Sequence, residues 1–147
     1  MIRAYYDTAY LLKLLRPEPG SDAVRQHAAT IDVLVCSLHG RAELVAAAHR
    51  KVREGTATTA HLEALLAQVA ADEAAGALEW LSIDDVHLAR VEAAFRRAPS
   101  ALFLRATDAL HLASAAEAGL AEIHSNDRHL LAAASLFGLR GIDVISA

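Results

Sequence analysis

The sequence contains a single cysteine, Cys36, and therefore cannot form a disulfide within the chain. This cysteine lies in the apolar run of residues 33–36, where a buried and reduced thiol is expected. No apolar run approaches the roughly 18 residues that a membrane span requires. The N-terminus lacks the basic region and following apolar region of a secretory signal. These absences predict a cytoplasmic protein that makes no contact with a membrane.

An excess of positive charge is also absent. The chain has 18 acidic residues against 14 lysines and arginines, which gives a formal net charge of −4. A protein that holds nucleic acid through charge alone is expected to be basic. Nucleic acid is therefore disfavoured as a partner, unless the negative charge is concentrated in a site that a cation fills.

Strand-like and helical patterns alternate along the whole chain. Its 147 residues, of which 54% are hydrophobic, fit one domain with one substantial core. Runs rich in β-branched and aromatic residues predict strands at residues 2–6, 33–36, 77–83, 122–125 and 142–145. Helical periods predict helices at residues 10–15, 22–29, 38–54, 59–73, 85–97, 106–118 and 128–137. This alternation predicts an α/β fold with a mostly parallel sheet that is covered on both faces.

The first predicted strand ends at Asp7, where the sequence changes to a helical period. In an open α/β sheet, ligands bind in the crevice beyond the carboxyl ends of the strands. An acid at this junction therefore lies where a site is expected. A structural role is the alternative, because Asp7 and Thr8 are both residue types favoured at helix N-caps.

Three further acids lie close to the start of a predicted helix: Glu43, Asp108 and Asp127. The carboxyl ends of parallel strands meet at one edge of a sheet, so the four acids are predicted to share a cleft. Simpler roles remain open for each of them. The three aspartates can act as caps, and a glutamate on a helix is commonly solvated.

The surroundings of Glu43 and Asp108 favour a site, because both acids are embedded in apolar sequence where an unpaired charge is costly. Two unit charges about 4 Å apart repel by about 4 kcal/mol at an effective dielectric constant near 20. No set of lysines or arginines is predicted to lie among the acids and cancel this repulsion. A divalent cation would cancel it, and oxygen ligands suit Mg²⁺ or Mn²⁺. Such a site supports metal-assisted hydrolysis of phosphodiester bonds.

Four segments together resemble the PIN domain family and, within it, the VapC-type toxins of bacterial toxin–antitoxin pairs. They are YDTA at residues 6–9, RAEL at 41–44, TDALHLA at 107–113 and SNDRHL at 125–130. Each segment alone is a weak signal, but their order and spacing match the family over nearly the whole chain. The resemblance implies one PIN-like domain over residues 1–147, with a three-layer α/β/α fold.

The resemblance also implies a function, since such proteins are Mg²⁺- or Mn²⁺-dependent ribonucleases that a partner antitoxin holds inactive. By this resemblance, the principal metal ligands and catalytic residues would be Asp7, Glu43 and Asp108, and Asp127 would complete the site. The hydroxyl groups of two residues would support them, Thr8 and Ser125. We accordingly expect an endoribonuclease toxin that acts on RNA, binds a cognate antitoxin and forms a homodimer or a toxin–antitoxin assembly.

Two arginines adjoin the acids in the sequence and are predicted to contact the phosphates of RNA, namely Arg105 and Arg128. The alternative for each is an ordinary solvated position on a helix. The eight histidines leave a second metal interpretation open. His39 with Glu43, and Asp108 with His111, have the spacing of residues that share a helix face, although no H-E-x-x-H signature is present.

Two other functions compete with the ribonuclease. One is a PIN-like RNA-binding or regulatory scaffold that retains the acids without catalysis. The other is a phosphotransfer enzyme that uses Asp7 as its nucleophile. The haloacid-dehalogenase-like form of that chemistry needs a second aspartate two residues later, where this chain has Ala9.

Overall fold

The structure is a computed structural model that describes residues 1–146. Its centre is a five-stranded sheet with the strand order β3-β2-β1-β4-β5. Every neighbouring pair of these strands is parallel. The strands are β1 (Arg3–Tyr6), β2 (Val33–Ser37), β3 (Leu78–Leu81), β4 (Glu122–His124) and β5 (Arg140–Ile142).

Seven α-helices of the described chain connect the strands. They are α1 (Thr8–Leu15), α2 (Ser21–Ala28), α3 (Leu38–Arg53), α4 (Thr59–Ala74), α5 (Asp85–Arg97), α6 (Ala106–Glu117) and α7 (Arg128–Ala133), which a short 3₁₀ helix (Ala134–Phe137) follows. Helices α1 to α4 pack on one another, and α5 to α7 form a second group. Crossover connections between parallel strands are right-handed. The chain adds β2 and β3 on one side of β1 and then β4 and β5 on the other side, so the two groups of helices lie on opposite faces of the sheet. The predicted three-layer α/β/α fold with a parallel sheet is therefore confirmed.

The core lies around the central strands β1 and β2. Tyr5, Tyr6, Val35 and Cys36 have no exposed surface. Both faces of these strands are covered, which explains why their sequences are continuously apolar rather than alternating. Burial also raises the pKa of the Cys36 thiol, so this residue is a protonated core side chain, as expected. Within residues 1–146, no helix combines the length and the apolar character that crossing a membrane requires.

The start of α2 differs from the prediction. The sequence predicts a helix over residues 22–29, but α2 begins at Ser21 and its N-cap is Gly20, whose φ of 91° lies in the left-handed region. The hydroxyl of Ser21 is engaged in the preceding turn. It accepts the backbone N–H of Glu18 and donates to the carbonyl of Arg16.

The last strand also differs from the prediction, because β5 is Arg140–Ile142 and not residues 142–145. Gly141 pairs with the centre of β4 and passes so close to α7 that a Cβ there would lie 2.7 Å from Leu131 Cδ2. The following residues turn away from the sheet. Asp143 accepts hydrogen bonds from the Tyr10 hydroxyl at 2.8 Å and from the Ile145 N–H at 2.9 Å, which a continuing strand would not allow.

Candidate functional site

The carboxyl ends of β1 and β4 adjoin at the centre of the sheet. Asp7 follows β1 directly, while Ser125 and Asp127 follow β4. Strand β1 has β2 as its neighbour on one side and β4 on the other, so the connections run in opposite directions from this point. Such a point is a topological switch in the strand order. Ligands of open α/β sheets bind in crevices at such points.

Asp7 is buried at this switch point, with only 5% of its surface exposed. Its Oδ1 accepts the N–H of Tyr10 at 3.0 Å and caps α1, while its Oδ2 accepts the Ser125 hydroxyl at 2.5 Å. Burial raises the pKa of this carboxyl group, and these two hydrogen bonds only partly oppose that effect. Among the nearby groups, His111 lowers this pKa and the charge of Asp108 raises it, and the net direction remains upward. Asp7 is thus a carboxylate whose charge lacks a full counterpart.

Glu43 lies on the first turns of α3, and its pKa is lowered, in contrast to that of Asp7. It is half-buried, and burial by itself raises its pKa. Hydrogen bonds from His111 Nε2 at 2.6 Å, from the Thr107 hydroxyl at 2.8 Å and from the Thr8 hydroxyl at 3.0 Å outweigh that effect. They lower the pKa of Glu43 to about 2, so this carboxylate is ionised at neutral pH.

Asp108 and Asp127 share a basic partner. Arg105, at the N-cap of α6, donates from Nε to Asp108 Oδ2 at 2.9 Å and from one terminal nitrogen to Asp127 Oδ2 at 3.1 Å. The prediction was that no set of lysines or arginines lies among the acids and cancels their repulsion, and the structure places one arginine there, paired with two of the four acids. Arg105 precedes Asp108 by three residues, and the helical turn between them brings the guanidinium group over both carboxylates.

The other site residues predicted from the sequence are Thr8, Ser125 and Arg128. Thr8 and Ser125 each hold a carboxylate through the hydroxyl group, Thr8 on Glu43 and Ser125 on Asp7. Ser125 also accepts the N–H of Asp127 and so connects the ends of β1 and β4. Arg128 is exposed at the start of α7, and within residues 1–146 it forms no ion pair.

The four acids belong to one connected region, but they do not form a compact ligand cluster within residues 1–146. In the part of the chain that the structure describes, one set of three potential ligand atoms lies within 4.8 Å of one another, and it comes from His39, Glu43 and His111. The aspartates are linked to each other through Ser125 and Arg105 instead. Oxygen donors of the kind that Mg²⁺ prefers are present, and they are spread around the switch point.

Sequence reasoning missed two groups that organise this region. The Tyr5 hydroxyl accepts the N–H of Ser37 at 2.9 Å and lies 2.6 Å from His111 Nδ1, deep beneath Glu43. The Thr107 hydroxyl holds the second oxygen of Glu43. Thr107 and His111 are four residues apart on α6, so a helical spacing could have indicated them, whereas a tyrosine in a buried strand gives no such signal.

A model of the PIN domain family matches residues 4–136, which is most of the chain. The chain belongs to the PIN domain family. The matched region begins in β1 and ends in the 3₁₀ helix after α7, so it includes every residue of the candidate site. The family assignment that the four sequence segments predicted is therefore confirmed.

The fold of this PIN domain is similar to a solved structure of FitAB bound to an IR36 DNA fragment. The two chains superpose with a TM-score of 0.65 and share 16% sequence identity, over 97% of this chain and 95% of that chain. At this identity the similarity concerns the fold alone. No curated protein sequence matches the chain.

Proposed function

We propose that this PIN domain is a metal-dependent endoribonuclease and the toxin of a toxin–antitoxin pair. The observation that supports this most is the buried Asp7 at the switch point of a parallel sheet. Its pKa is raised by burial and by Asp108, so it gains from a cation. The VapC-type sequence segments indicate which class of PIN domain this is, and RNA is the substrate that the class implies.

The donor set at the strand ends fits Mg²⁺ or Mn²⁺ in kind. Mg²⁺ in proteins commonly takes one or two carboxylates and keeps waters and substrate phosphates as its other ligands. Asp7 and Asp108 would supply the carboxylates, and Glu43 and Asp127 would surround them. When bound, the ion would lower the pKa of water and stabilise the charge that develops on the phosphodiester. A compact cage of all four acids is not required.

The residues of the chain would prepare this site and orient the RNA. Ser125 and Tyr10 fix both oxygens of Asp7, so the carboxylate is held before any ligand arrives. Arg105 holds two acids in the metal-free protein. We expect it to turn toward an RNA phosphate once a cation has taken over the charge of these acids, with the exposed Arg128 as a second phosphate contact.

A homodimer and a cognate antitoxin complete the proposal, in the cytoplasm where RNA is found. An acidic site on a chain with net charge −4 suits a partner that covers it with a basic segment. Light scattering of the purified chain tests the homodimer, which would have twice the 15.6 kDa mass of one chain.

RNA cleavage by purified protein with added Mn²⁺ tests the enzymatic proposal. The wild-type chain is expected to cleave RNA, and Asp7→Asn is expected to lose this activity because one carboxylate charge is removed. Asp22→Asn is the matched control, since Asp22 is an exposed aspartate of α2. If Asp7→Asn cuts RNA at the wild-type rate, the assignment of the site fails.

A second candidate function is an RNA-binding or regulatory scaffold without catalysis. One observation favours it: Arg105 already pairs with Asp108 and Asp127, and three donors already surround Glu43. The same assay separates the two functions. A scaffold would bind RNA and leave it intact at every Mn²⁺ concentration.

A further inference from the structure

Two imidazole rings and one carboxylate converge beside α6. The Nε2 of His111 lies 2.6 Å from Glu43 Oε1, and the Nε2 of His39 lies 3.6 Å from the same oxygen. The two rings are 4.2 Å apart between their centroids. All three potential ligand atoms lie within 4.8 Å of one another, which is close enough for one ion to bind all of them.

The far nitrogen of each ring has its own partner. The Nδ1 of His39 is 2.7 Å from the Ser37 hydroxyl, and the Nδ1 of His111 is 2.6 Å from the Tyr5 hydroxyl. Histidines that bind metals almost always hydrogen-bond through their other nitrogen, which fixes the ring orientation. The orientations of both rings are therefore fixed, with both Nε2 atoms on the side of Glu43 Oε1.

The near nitrogen of each ring is hydrogen-bonded in the metal-free protein. The Nε2 of His39 donates to the Thr107 carbonyl at 3.0 Å, and the Nε2 of His111 lies 2.6 Å from Glu43 Oε1, so an ion would replace these two hydrogen bonds. The second oxygen of Glu43 is held by Thr107, so the carboxylate cannot rotate freely. The His39 and Glu43 side chains are 19% and 33% exposed, whereas His111 is 2% exposed. An ion would enter from the side of α3 and reach the buried ring last.

We propose that His39, Glu43 and His111 form a binding site for a zinc-class transition metal ion. Imidazole nitrogens suit Zn²⁺, whereas Mg²⁺ prefers oxygen, and two histidines with one glutamate leave a fourth position for water. In the bound state each neutral ring carries its proton on Nδ1. The oxygens of Ser37 and Tyr5 accept these protons. Each Nε2 gives up its hydrogen bond, that of His39 to the Thr107 carbonyl and that of His111 to Glu43, and binds the ion instead.

This site differs from the carboxylate site of the proposed function, although the two share Glu43. His39 of α3 contacts the Thr107 carbonyl on α6, and His111 belongs to α6, so both rings lie between these two helices. Asp7 and Asp127 lie at the ends of β1 and β4. Zinc binding needs no RNA cleavage, so the inference depends on the proposed function only for the expectation that a second, oxygen-rich site adjoins this one.

Titration calorimetry of the metal-free full-length chain with Zn²⁺ tests the site. We expect the wild type to bind one equivalent and His39→Gln to bind more weakly. The loss of Zn²⁺ affinity should exceed about 10- to 100-fold, which is the usual effect of altering a residue that hydrogen-bonds to a metal ligand. Ser37→Ala removes only the partner of His39 and should weaken binding by about 10- to 100-fold. Ser37→Ala decides the matter if His39→Gln does not fold.

Two histidines serve as controls. His49 is exposed on the same helix as His39. His27 lies on α2, where its ring is tilted against that of His124. His49→Gln and His27→Gln should both bind Zn²⁺ as the wild type does. Unchanged Zn²⁺ affinity in both His39→Gln and Ser37→Ala would overturn the proposal, and so would a wild type that binds no Zn²⁺.

A thermal-shift measurement separates this inference from the proposed function. Mg²⁺ should raise the melting temperature of His39→Gln as it does for the wild type. Asp7→Asn should lose the Mg²⁺ effect and keep Zn²⁺ binding. If Mg²⁺ stabilises neither the wild type nor His39→Gln, and Zn²⁺ still binds the wild type through His39, the oxygen-rich site is refuted and the zinc site stands.

Discussion

At the scale of the residue, capping and site formation are not exclusive roles for the aspartates. In Asp127, Oδ1 accepts the backbone N–H groups of His129 and Leu130 and caps α7, whereas Oδ2 faces Arg105. Asp7 divides its oxygens in the same way between Tyr10 and Ser125. Caps place such carboxylates at helix N-termini, where the helix dipole favours negative charge.

The positions of the four acids could be predicted from the sequence, because strand-to-helix junctions are visible as a change of period. The pairing of Arg105 with two of the acids could not be predicted. It depends on how the side chain turns over α6 and on the distance between α6 and the end of β4. Both are properties of the folded chain.

The buried charge of Asp7 predicts an effect on stability. The pKa of Asp7 in the folded protein lies above its ordinary value of 3.8. The free energy of unfolding of the metal-free protein therefore falls as the pH rises above 3.8 and this carboxyl group ionises. Asp7→Asn should therefore melt higher than the wild type at pH 7 without metal, by a few degrees. About 1 kcal/mol corresponds to roughly 2–4 °C for a domain of this size.

Differential scanning calorimetry at pH 7 and near pH 4 measures this effect. The advantage of Asp7→Asn should shrink toward pH 4, where the wild-type carboxyl group takes up its proton. The control Asp22→Asn should follow the wild type at both pH values. A lower melting temperature for Asp7→Asn at pH 7 would show that its ionised form stabilises the metal-free fold.

Arg105 predicts a change in the response to metal. Arg105→Gln leaves Asp108 and Asp127 without their counter-charge, so Mn²⁺ should raise the melting temperature of this variant more than that of the wild type. RNA cleavage should fall, because a phosphate contact is lost. Arg128→Gln is the control and should show the wild-type Mn²⁺ response. An equal or smaller Mn²⁺ effect in Arg105→Gln contradicts the idea that Arg105 substitutes for a cation.

At the scale of the element, the position of α3 depends on one glycine. A Cβ at Gly40 would lie 2.5 Å from Cys36 Sγ and 3.0 Å from His111 Cε1. The absence of a side chain lets α3 approach both β2 and α6 closely. This approach brings Glu43 to its partners Thr8 and His111, one turn further along the helix.

Gly40→Ala should therefore destabilise the protein, although alanine is the better helix former by about 1 kcal/mol. Overpacking a core typically costs about 1–3 kcal/mol. Urea unfolding measures the change, with Ala46→Gly at an exposed position of α3 as the control for helix propensity. Adding Cys36→Ala should restore part of the loss by removing the sulfur. A stabilised Gly40→Ala variant would show that the helix has room at this position.

Most elements could be predicted from the sequence because their signals are local. Helices were predicted to begin at residues 59 and 85, and α4 and α5 begin there. Their N-caps, Thr58 and Asp84, are residue types that favour this position. The last elements were less predictable. The segment 128–137 reads as one helix but becomes 3₁₀ after Ala133, and β5 begins two residues earlier than expected. The limits of β5 depend on the packing of Gly141 against Leu131 and on the hydrogen bond from the Tyr10 hydroxyl to Asp143.

At the scale of the whole molecule, the order of the strands forms the candidate site. The chain makes β4 after β3, yet β4 pairs with β1 in the middle of the sheet. This pairing brings Asp127 beside Asp7, although 120 positions separate them in the sequence. No local pattern specifies which strands are neighbours. The sequence predicted only that the acids gather at the carboxyl edge of a parallel sheet, and the resemblance to the PIN domain grouped them in one site. The match over residues 4–136 supports the same arrangement.

The central claim is that the oxygen ligands around the switch point hold a divalent cation. Crystals of the full chain soaked in Mn²⁺ and measured by anomalous diffraction test it most directly. We predict an anomalous peak between the carboxylates of Asp7 and Asp108, with the Arg105 side chain displaced. A map without a peak there, or with its only peak between His39 and His111, would contradict the claim.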